Sequence, residues 1–424
     1  CSTRRHTVMK ALVVLACVVL AALATPTKPS LKEAKVVRVV PHTEEQLHHL
    51  HQLLLQGRYD FWQEPRGLNT PVDIMAALRD LPGLAATLSG RGLKPTVMIH
   101  DVGRLVEQQT VERLQHHTRA MDWHNYHDYN TINAWMAQLA SDHPDLCQLE
   151  KVGTSYEGRT MNLLTVGSGG ADKPGIFIDG GIHAREWISP ATVTYMVNEL
   201  VTNRDTYSDL LSSVNFYVMP SINPDGYQYT FTDDRMWRKT RSDTNSPFGC
   251  KGADPNRNWD FHWNEVGASS SPCSDIYAGS APFSEVEMRV VRDEIIRLGS
   301  KIKVYLTFHS FSQLWMYPWG YTSALPDDWQ DLDNLAQDAV SALTAVHGTR
   351  YEIGSSTNTI YAAAGGSDDW AKGVGGVKYA YTVELRDQGS YGFLLPASQI
   401  IPSGEETFEA LKVVANFVKN TYSK

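Results

Sequence analysis

The sequence predicts an α/β fold: a mixed, mostly parallel sheet with helices on both faces, preceded by a small α+β open sandwich. Two patterns lead to this prediction. After about residue 120, largely apolar strand-like runs alternate with helical segments, which is typical of a sheet covered on both faces. Before that residue, short segments follow in the order β-α-β-β-α-β, which is typical of one small sheet carrying two helices. At 424 residues, the chain is long enough for both parts.

The N-terminal residues are typical of a secretory signal peptide. Lys10 precedes an apolar run at residues 11–20, which ends in the small residues of Ala22-Leu23-Ala24. The run is shorter than the ~20 apolar residues that a membrane span needs. We therefore assign residues 9–24 to a signal peptide, and we expect a secreted, extracellular protein without a membrane anchor.

The small module, residues 25–119, is predicted from apolar spacing. Its first helix has leucines at helical intervals, and Pro82 suits the first turn of its second helix. Strands are predicted at 36–40, 59–63, 72–75 and 95–100, and helices at 44–56, 82–88 and 106–115. This order fits an open sandwich.

The large domain, residues 120–424, is predicted in the same way. Strands are predicted at 176–179, 214–219, 303–308 and 379–385, and helices at 188–202, 286–298, 332–346 and 408–421. In such sheets, functional sites form beyond the carboxyl ends of the strands. Polar residues that follow these strands are therefore the first candidates for a site.

The charge of the chain argues against one class of partner. Its formal net charge is -9 and it has no long basic run, so we expect no nucleic-acid partner.

A candidate metal site lies at two of these strand ends. His183 and Glu186 fall between the strand at 176–179 and the following helix, close enough to bind one ion together. A catalytic zinc usually takes three protein ligands and a water, so a third ligand should come from another strand end. His309, directly after the strand at 303–308, is the natural candidate.

A hydrolase built on such a metal also needs a base to accept the proton of the attacking water. Glu384 lies at the end of the strand at 379–385, where burying a carboxylate is costly unless it has a task or a partner. The alternative is an ion pair with Arg386, which strand alternation places on the same face. The HExxH motif, which would place base and ligands on one helix, is absent.

These residues resemble those of the metallocarboxypeptidases of the pancreatic A/B type. The similar segments extend over nearly the whole chain after the signal peptide. They are His183 to Glu186, Trp237 to Arg241, Asn256 to Trp259, His309-Ser310, Ile360-Tyr361, Gly365 to Ser367, Glu384 to Asp387 and Tyr391 to Pro396.

The resemblance implies one Zn²⁺ per chain, held by His183, Glu186 and His309. It also implies that Glu384 is the general base and that Arg238 stabilises the oxyanion, a role that suits a fixed guanidinium. The implied activity is hydrolysis of the C-terminal peptide bond of peptides or proteins by promoted-water attack.

The same resemblance implies the substrate contacts. Asn256 and Arg257 would bind the terminal carboxylate, for which Arg offers a bidentate fork. Tyr361 would close over the substrate, and Arg185 would belong to the neighbouring upstream subsite. By themselves, Arg238 and Arg241 also fit a solvated basic patch, Asn256-Arg257 a loop turn and Tyr361 a packed surface aromatic. Phe311 departs from the Tyr that is usual there, so we expect no hydroxyl contact to substrate at this position.

The small module resembles the activation domain of the family, which implies a zymogen. The module would cover the cleft until a trypsin-like protease cuts the chain. Arg119-Ala120 is the preferred cleavage point, with Arg113 as the alternative. The resemblance also implies a disulfide between Cys250 and Cys273, whereas Cys147 is expected to be a buried free thiol. We expect a monomer.

The specificity depends on Asp368, which matches the floor of the substrate pocket in the family. An acidic residue there indicates B-type specificity for C-terminal Lys or Arg, whereas an apolar residue indicates A-type specificity. Ser356, small and polar at a wall position, agrees with the B type. The alternative for Asp368 is a cap of a helix that begins near Asp369. The remaining alternatives are an A-type or mixed specificity and an inactive peptide-binding homologue.

Overall fold

The structure is a computed structural model that describes residues 31–115 and 120–423. The predicted signal peptide at 9–24 and the preferred cleavage residue Arg119 lie outside the described residues. Within the described part of the chain, no helix is both long and apolar enough to cross a membrane.

The small module has the predicted β-α-β-β-α-β order. Its elements are β1 (Lys35–Val39), α1 (Glu44–Leu55), β2 (Asp60–Gln63), β3 (Val72–Ala76), α2 (Leu81–Ser89) and β4 (Thr96–Ile99), followed by α3 (Val102–Gln115). The strands form one antiparallel sheet in the order β2-β3-β1-β4. Strand alternation divides the apolar residues between two places. Val37 and Phe61 are buried under the helices of the module, whereas Val36 and Trp62 pack toward the large domain.

The large domain is built on a sheet of eight strands. They are β5 (Cys147–Thr154), β6 (Thr160–Val166), β7 (Gly175–Gly180), β8 (Asn215–Met219), β9 (Ile302–Ser310), β10 (Leu314–Tyr317), β11 (Glu352–Ser355) and β12 (Tyr379–Leu385), in the order β11-β10-β12-β9-β7-β8-β6-β5. The central strands β12, β9, β7 and β8 are parallel to one another. Antiparallel pairs flank them, so the predicted mixed, mostly parallel sheet is confirmed.

Helices cover both faces of this sheet. They are α4 (Tyr129–Asp142), α5 (Ile188–Thr202), α6 (Ser208–Ser213), α7 (Pro224–Thr232), α8 (Val286–Leu298), α9 (Trp329–His347), α10 (Ser356–Thr359), α11 (Ser367–Gly373) and α12 (Ile400–Tyr422). Ile176 and Ile178 of β7 pack toward α5, α9 and α12, whereas Phe177 between them packs toward α8 and α11. Because both faces are buried, the central strands are apolar throughout.

Some elements differ from the sequence prediction. The last helix begins at Ile400 instead of residue 408, since Pro402 lies in its first turn, where a missing N–H costs no intrahelical hydrogen bond. Strand β9 continues to Ser310, so His309 lies inside the strand and not directly after it.

The cysteines of the large domain are arranged as expected. Cys250 and Cys273 form a disulfide. Cys147, the first residue of β5, is a buried free thiol.

Candidate active site

The three candidate metal ligands meet at the carboxyl ends of two neighbouring strands. His183 and Glu186 lie in the turn between β7 and α5, and His309 is the penultimate residue of β9. Strands β7 and β9 are paired in parallel, so their carboxyl ends lie at the same edge of the sheet. The prediction that the ligands come from separate strand ends therefore agrees with the geometry.

The ligand atoms of these residues point toward one another. His183 Nδ1 is 2.7 Å from Glu186 Oε1, and His309 Nδ1 is 3.2 Å from His183 Nδ1 and 3.4 Å from Glu186 Oε2. The ligand atoms all lie within 4.8 Å of one another, and the three side chains are buried. Two imidazole nitrogens and a carboxylate fit a catalytic zinc, which keeps its fourth position for water.

The electrostatics of His183 and Glu186 suit a cation. Burial, together with the nearby Arg238, lowers the pKa of His183, which favours the neutral imidazole that binds metal. Burial alone would raise the pKa of Glu186, but the two histidines outweigh it and lower that pKa. The carboxylate is therefore ionised and available as a ligand.

Asp254 is a site residue that the sequence analysis missed. Its Oδ1 lies 3.1 Å from His183 Nε2, and its Oδ2 accepts a hydrogen bond from Arg238 Nη2 at 2.8 Å. A carboxylate behind a metal-binding histidine fixes the tautomer and orientation of the ring. In the sequence, the one indication was that Asp254 lies two residues before the Asn256-Arg257 pair. In the structure Asp254 is fully buried, and a buried Asp requires partners.

Glu384 lies beside the metal site. It is in β12, directly opposite His309 in the adjacent strand β9. Its Oε2 is buried without a hydrogen-bond partner among the described residues. Burial raises the pKa of Glu384 to about 8, and Glu186 acts in the same direction against His309 and Arg238.

The alternative of an ion pair between Glu384 and Arg386 is wrong. Arg386 donates to Glu406 Oε1 at 2.8 Å and to Gln399 Oε1 at 2.8 Å, away from the metal site. Among the residues that the structure describes, Glu384 therefore forms no ion pair that would explain its buried Oε2, as expected for a residue with a chemical task.

The cationic residues near the site are held by buried contacts. Arg257 Nε donates to the Gly267 carbonyl at 2.7 Å, and Arg257 Nη2 lies 3.5 Å from the Tyr361 hydroxyl. Asn256 Oδ1 accepts from the Ser367 N–H at 2.9 Å. Arg238 is only 8% exposed, which contradicts the alternative of a solvated basic patch.

The small module covers this site with two acidic side chains. Asp60 of β2 binds Arg185 through both carboxylate oxygens, at 2.8 and 2.9 Å. Glu64 is 8% exposed and lies within electrostatic range of Arg257 and Arg238, next to the Tyr361 hydroxyl. A cavity of about 40 Å³, lined by Glu64 and by the metal-site residues, remains between the module and the cleft. The sequence analysis did not single out Asp60 or Glu64.

Comparisons with known proteins agree with this site. The profile described as "Zinc carboxypeptidase" matches residues 132–410, and the one described as "Carboxypeptidase activation peptide" matches residues 37–109. The chain belongs to the zinc carboxypeptidase family.

Individual relatives show the same relationship. The chain is 78% identical to carboxypeptidase B of Astacus astacus over 303 residues, which cover 72% of this chain and 100% of that protein. It is 43% identical to carboxypeptidase B of Rattus norvegicus over 418 residues, 96% of this chain and 99% of the relative. The crystal structure of thrombin activatable fibrinolysis inhibitor superposes with a TM-score of 0.84 at 35% identity, covering 92% of this chain and 100% of that one. This protein is thus a zinc metallocarboxypeptidase with an activation peptide, and Zn²⁺ is its cofactor.

The side chain of Asp368 is buried in this carboxypeptidase. Asp368 is 5% exposed and its Oδ2 lies 3.4 Å from Ser356 Oγ. Burial raises the pKa of Asp368. Asp368 does not hold the N-cap position of α11, which Gly366 occupies, but as the second residue of this helix its carboxylate interacts with backbone N–H groups of the first turn. Among the described residues, no Lys or Arg forms an ion pair with Asp368.

The Phe311 ring packs among apolar side chains, which offer no hydrogen-bond partner for a hydroxyl group. Its ring lies 5.1 Å from that of Phe393, which in turn lies 5.2 Å from that of Trp62 in the module. These rings belong to one apolar cluster between module and large domain. The Phe393 ring also stacks on the Arg185 guanidinium, at 4.1 Å.

Proposed function

We propose that this zymogen is secreted and that, after its activation module is removed, it cleaves C-terminal Lys and Arg from peptides. His183, Glu186 and His309 would hold the zinc ion. Zinc in such a site supplies Lewis-acid chemistry, which makes a water molecule more acidic and polarises a carbonyl group. The support is the clustering of three buried ligand groups at one sheet edge.

Glu384 would be the general base. It accepts a proton from the attacking water and delivers it to the nitrogen of the leaving amino acid. The support is its unpartnered Oε2 and its position directly opposite His309 in the neighbouring strand.

Arg238 would stabilise the negative charge that develops on the carbonyl oxygen. Asp254 holds its guanidinium in place, so the donor need not reorganise during the reaction. Asn256 and Arg257 would bind the terminal carboxylate, with Tyr361 closing over it. Because only a chain end supplies that carboxylate, this arrangement favours an exopeptidase. Arg185 would bind the substrate one residue upstream.

Asp368 carries the proposal of basic specificity. A buried carboxylate without a cationic partner is costly, and a Lys or Arg side chain of the substrate would supply the missing charge. The name carboxypeptidase B of the two relatives described above agrees with this proposal.

The test compares two matched substrates on the trypsin-treated enzyme. Dipeptides that differ only in a terminal Arg or Phe should give a much larger kcat/KM for Arg, and Asp368→Ile should shift the preference toward Phe. Ser208→Ala, an exposed change in α6, serves as the control. A preference of the unmodified enzyme for Phe would establish the A-type alternative, and no activity with zinc present would support the inactive homologue.

The domain limits are part of the proposal: 9–24 for the signal peptide, 25–119 for the activation domain and 120–424 for the enzyme. Cleavage after Arg119 by a trypsin-like protease is favoured over Arg113. Arg113 lies in α3, where its carbonyl accepts from Asn125 Nδ2 at 3.0 Å and its guanidinium stacks on the Phe231 ring. N-terminal sequencing of the trypsin product should begin at Ala120, and a start at Leu114 would show cleavage at Arg113. We expect the product to be a monomer, which sedimentation would check.

A further inference from the structure

The buried carboxylate of Asp179 has no part in the reaction proposed above, yet a single hydroxyl separates it from His309. Asp179 in β7 and Thr307 in β9 are paired across the two parallel strands, and both side chains are fully buried. Thr307 Oγ1 donates to Asp179 Oδ1 at 2.6 Å, and the same oxygen lies 3.4 Å from His309 Nε2. The Thr307 hydroxyl thus connects the Asp179 carboxylate to the His309 imidazole.

The single hydrogen of the Thr307 hydroxyl decides which group donates and which accepts in these two contacts. A carboxylate can only accept, so the 2.6 Å contact to Asp179 uses the one hydrogen that the hydroxyl has. The hydroxyl therefore presents a lone pair to His309, whose Nε2 must carry the ring proton. Nδ1 is then left with its lone pair, and Nδ1 is the atom that faces His183 and Glu186.

The other histidine of the site is held in an equivalent way. His183 Nε2 lies 3.1 Å from Asp254, so a carboxylate contacts that ring directly. For His309 the carboxylate acts through Thr307, and Tyr305 donates to the second oxygen of Asp179 at 2.6 Å. Among the described residues no Lys or Arg pairs with Asp179. A buried carboxylate that only hydroxyls contact is costly, which suggests a role beyond packing.

We propose that Thr307 and Asp179 are positioning residues that fix the tautomer and orientation of His309 and thereby strengthen zinc binding. The proposal rests on the proposed function, in which His309 is a ligand. Outer partners of metal-binding histidines commonly change metal affinity by about 10–100-fold. The 3.4 Å contact is long for a hydrogen bond, so we expect an effect near the lower limit.

The test is the zinc affinity of the full-length zymogen, measured by competition with a fluorescent chelator. Thr307→Val keeps the shape but removes the acceptor, and we expect it to raise the zinc Kd about tenfold. Thr307→Ser keeps the hydroxyl and should restore the original affinity. Thr407→Val is the matched control, since the Thr407 hydroxyl in α12 is buried without a partner among the described residues.

Two further variants separate the possible failures. If His309→Gln binds zinc as tightly as the unmodified chain, the ligand assignment itself is wrong. If His309→Gln loses zinc while Thr307→Val keeps the original affinity, His309 stays a ligand and the proposed positioning role of Thr307 and Asp179 is refuted. Equal losses in the Val and Ser variants would also refute it, because packing and not the hydroxyl would then be responsible. Should Thr307→Val fail to fold, Asp179→Asn takes its place. We expect this variant to bind zinc several-fold more weakly, and an unchanged zinc affinity would refute the positioning role.

Discussion

Replacing Glu64 with Gln should give the uncleaved zymogen activity toward small substrates. The Glu64 carboxylate is buried and lies within electrostatic range of Arg257 and Arg238, next to the Tyr361 hydroxyl. Those guanidinium groups are the ones proposed to bind the terminal carboxylate and the oxyanion of a substrate. Burial raises the pKa of Glu64, against the effect of the two guanidinium groups, so it is the ionised form of Glu64 that supplies the negative charge a substrate would bring.

The size of the effect follows from the loss of one charge. Removing one partner of a buried, hydrogen-bonded charge pair costs about 2–5 kcal/mol, but the hydrogen bond of Glu64 involves the Tyr361 hydroxyl and not a guanidinium group. We take about 2 kcal/mol, because Gln keeps the size of the side chain and an oxygen that can accept a hydrogen bond. Since 1.4 kcal/mol corresponds to a factor of ten, the fraction of zymogen with an accessible cleft should rise about 30-fold.

The assay is hydrolysis of an Arg-terminated dipeptide by purified zymogen in the presence of a trypsin inhibitor, with the intact chain verified on a gel. Glu45→Gln is the matched control, since Glu45 is exposed in α1 and, within the described residues, forms its ion pair with the exposed Arg91. The reasoning is refuted if the Glu64→Gln zymogen stays as inactive as the unmodified one while its trypsin-treated form is fully active. Asp60→Asn would then test whether the contact with Arg185 alone keeps the cleft closed.

Three further predictions concern single residues. Asp254→Asn should raise the zinc Kd about 10–100-fold, measured by chelator competition, because His183 loses the carboxylate that orients it. Arg238→Ala should lower kcat of the activated enzyme about 10²–10³-fold with a smaller change in KM, and steady-state kinetics showing only a KM effect would contradict its role at the oxyanion. Burial raises the pKa of Cys147 to about 12, so this thiol should react slowly with a disulfide reagent at pH 8 in the folded protein and rapidly in guanidinium chloride. Fast labelling of the folded protein would show that the thiol is accessible.

The sequence predicted the central part of the fold better than its edges. The four strands predicted in the large domain are the buried parallel ones, whose continuous apolar runs distinguish them. Strand β5 was missed because it is a polar, largely exposed edge strand, and β11 because it has only four residues, Glu352–Ser355. The order of the small module was predicted in full, since its first helix has clear apolar spacing, Pro82 marks the first turn of its second helix, and its strands are short and well separated.

The candidate ligands could be found from sequence because each lies near the end of an apolar strand. Asp254 could not be found in this way, since its role depends on contacts with His183 and Arg238, which are distant from it in sequence. The same holds for Thr307 and Asp179, which look like ordinary strand residues until the pairing of β7 with β9 brings them together. Sequence position indicates which residues reach the edge of the sheet, but contacts between strands decide which residues support them.

Glu64 directly follows strand β2, and this strand connects the core of the module to the cleft. Phe61 is buried in the core of the module, whereas Trp62 beside it packs on Phe393 and Asp60 binds Arg185. One short strand thus holds both the interior of the module and its contacts with the cleft. Cleavage in the segment after Gln115 breaks none of these contacts, so the cut alone does not open the cleft. We therefore predict that activation takes two steps, the cut and the release of the folded module.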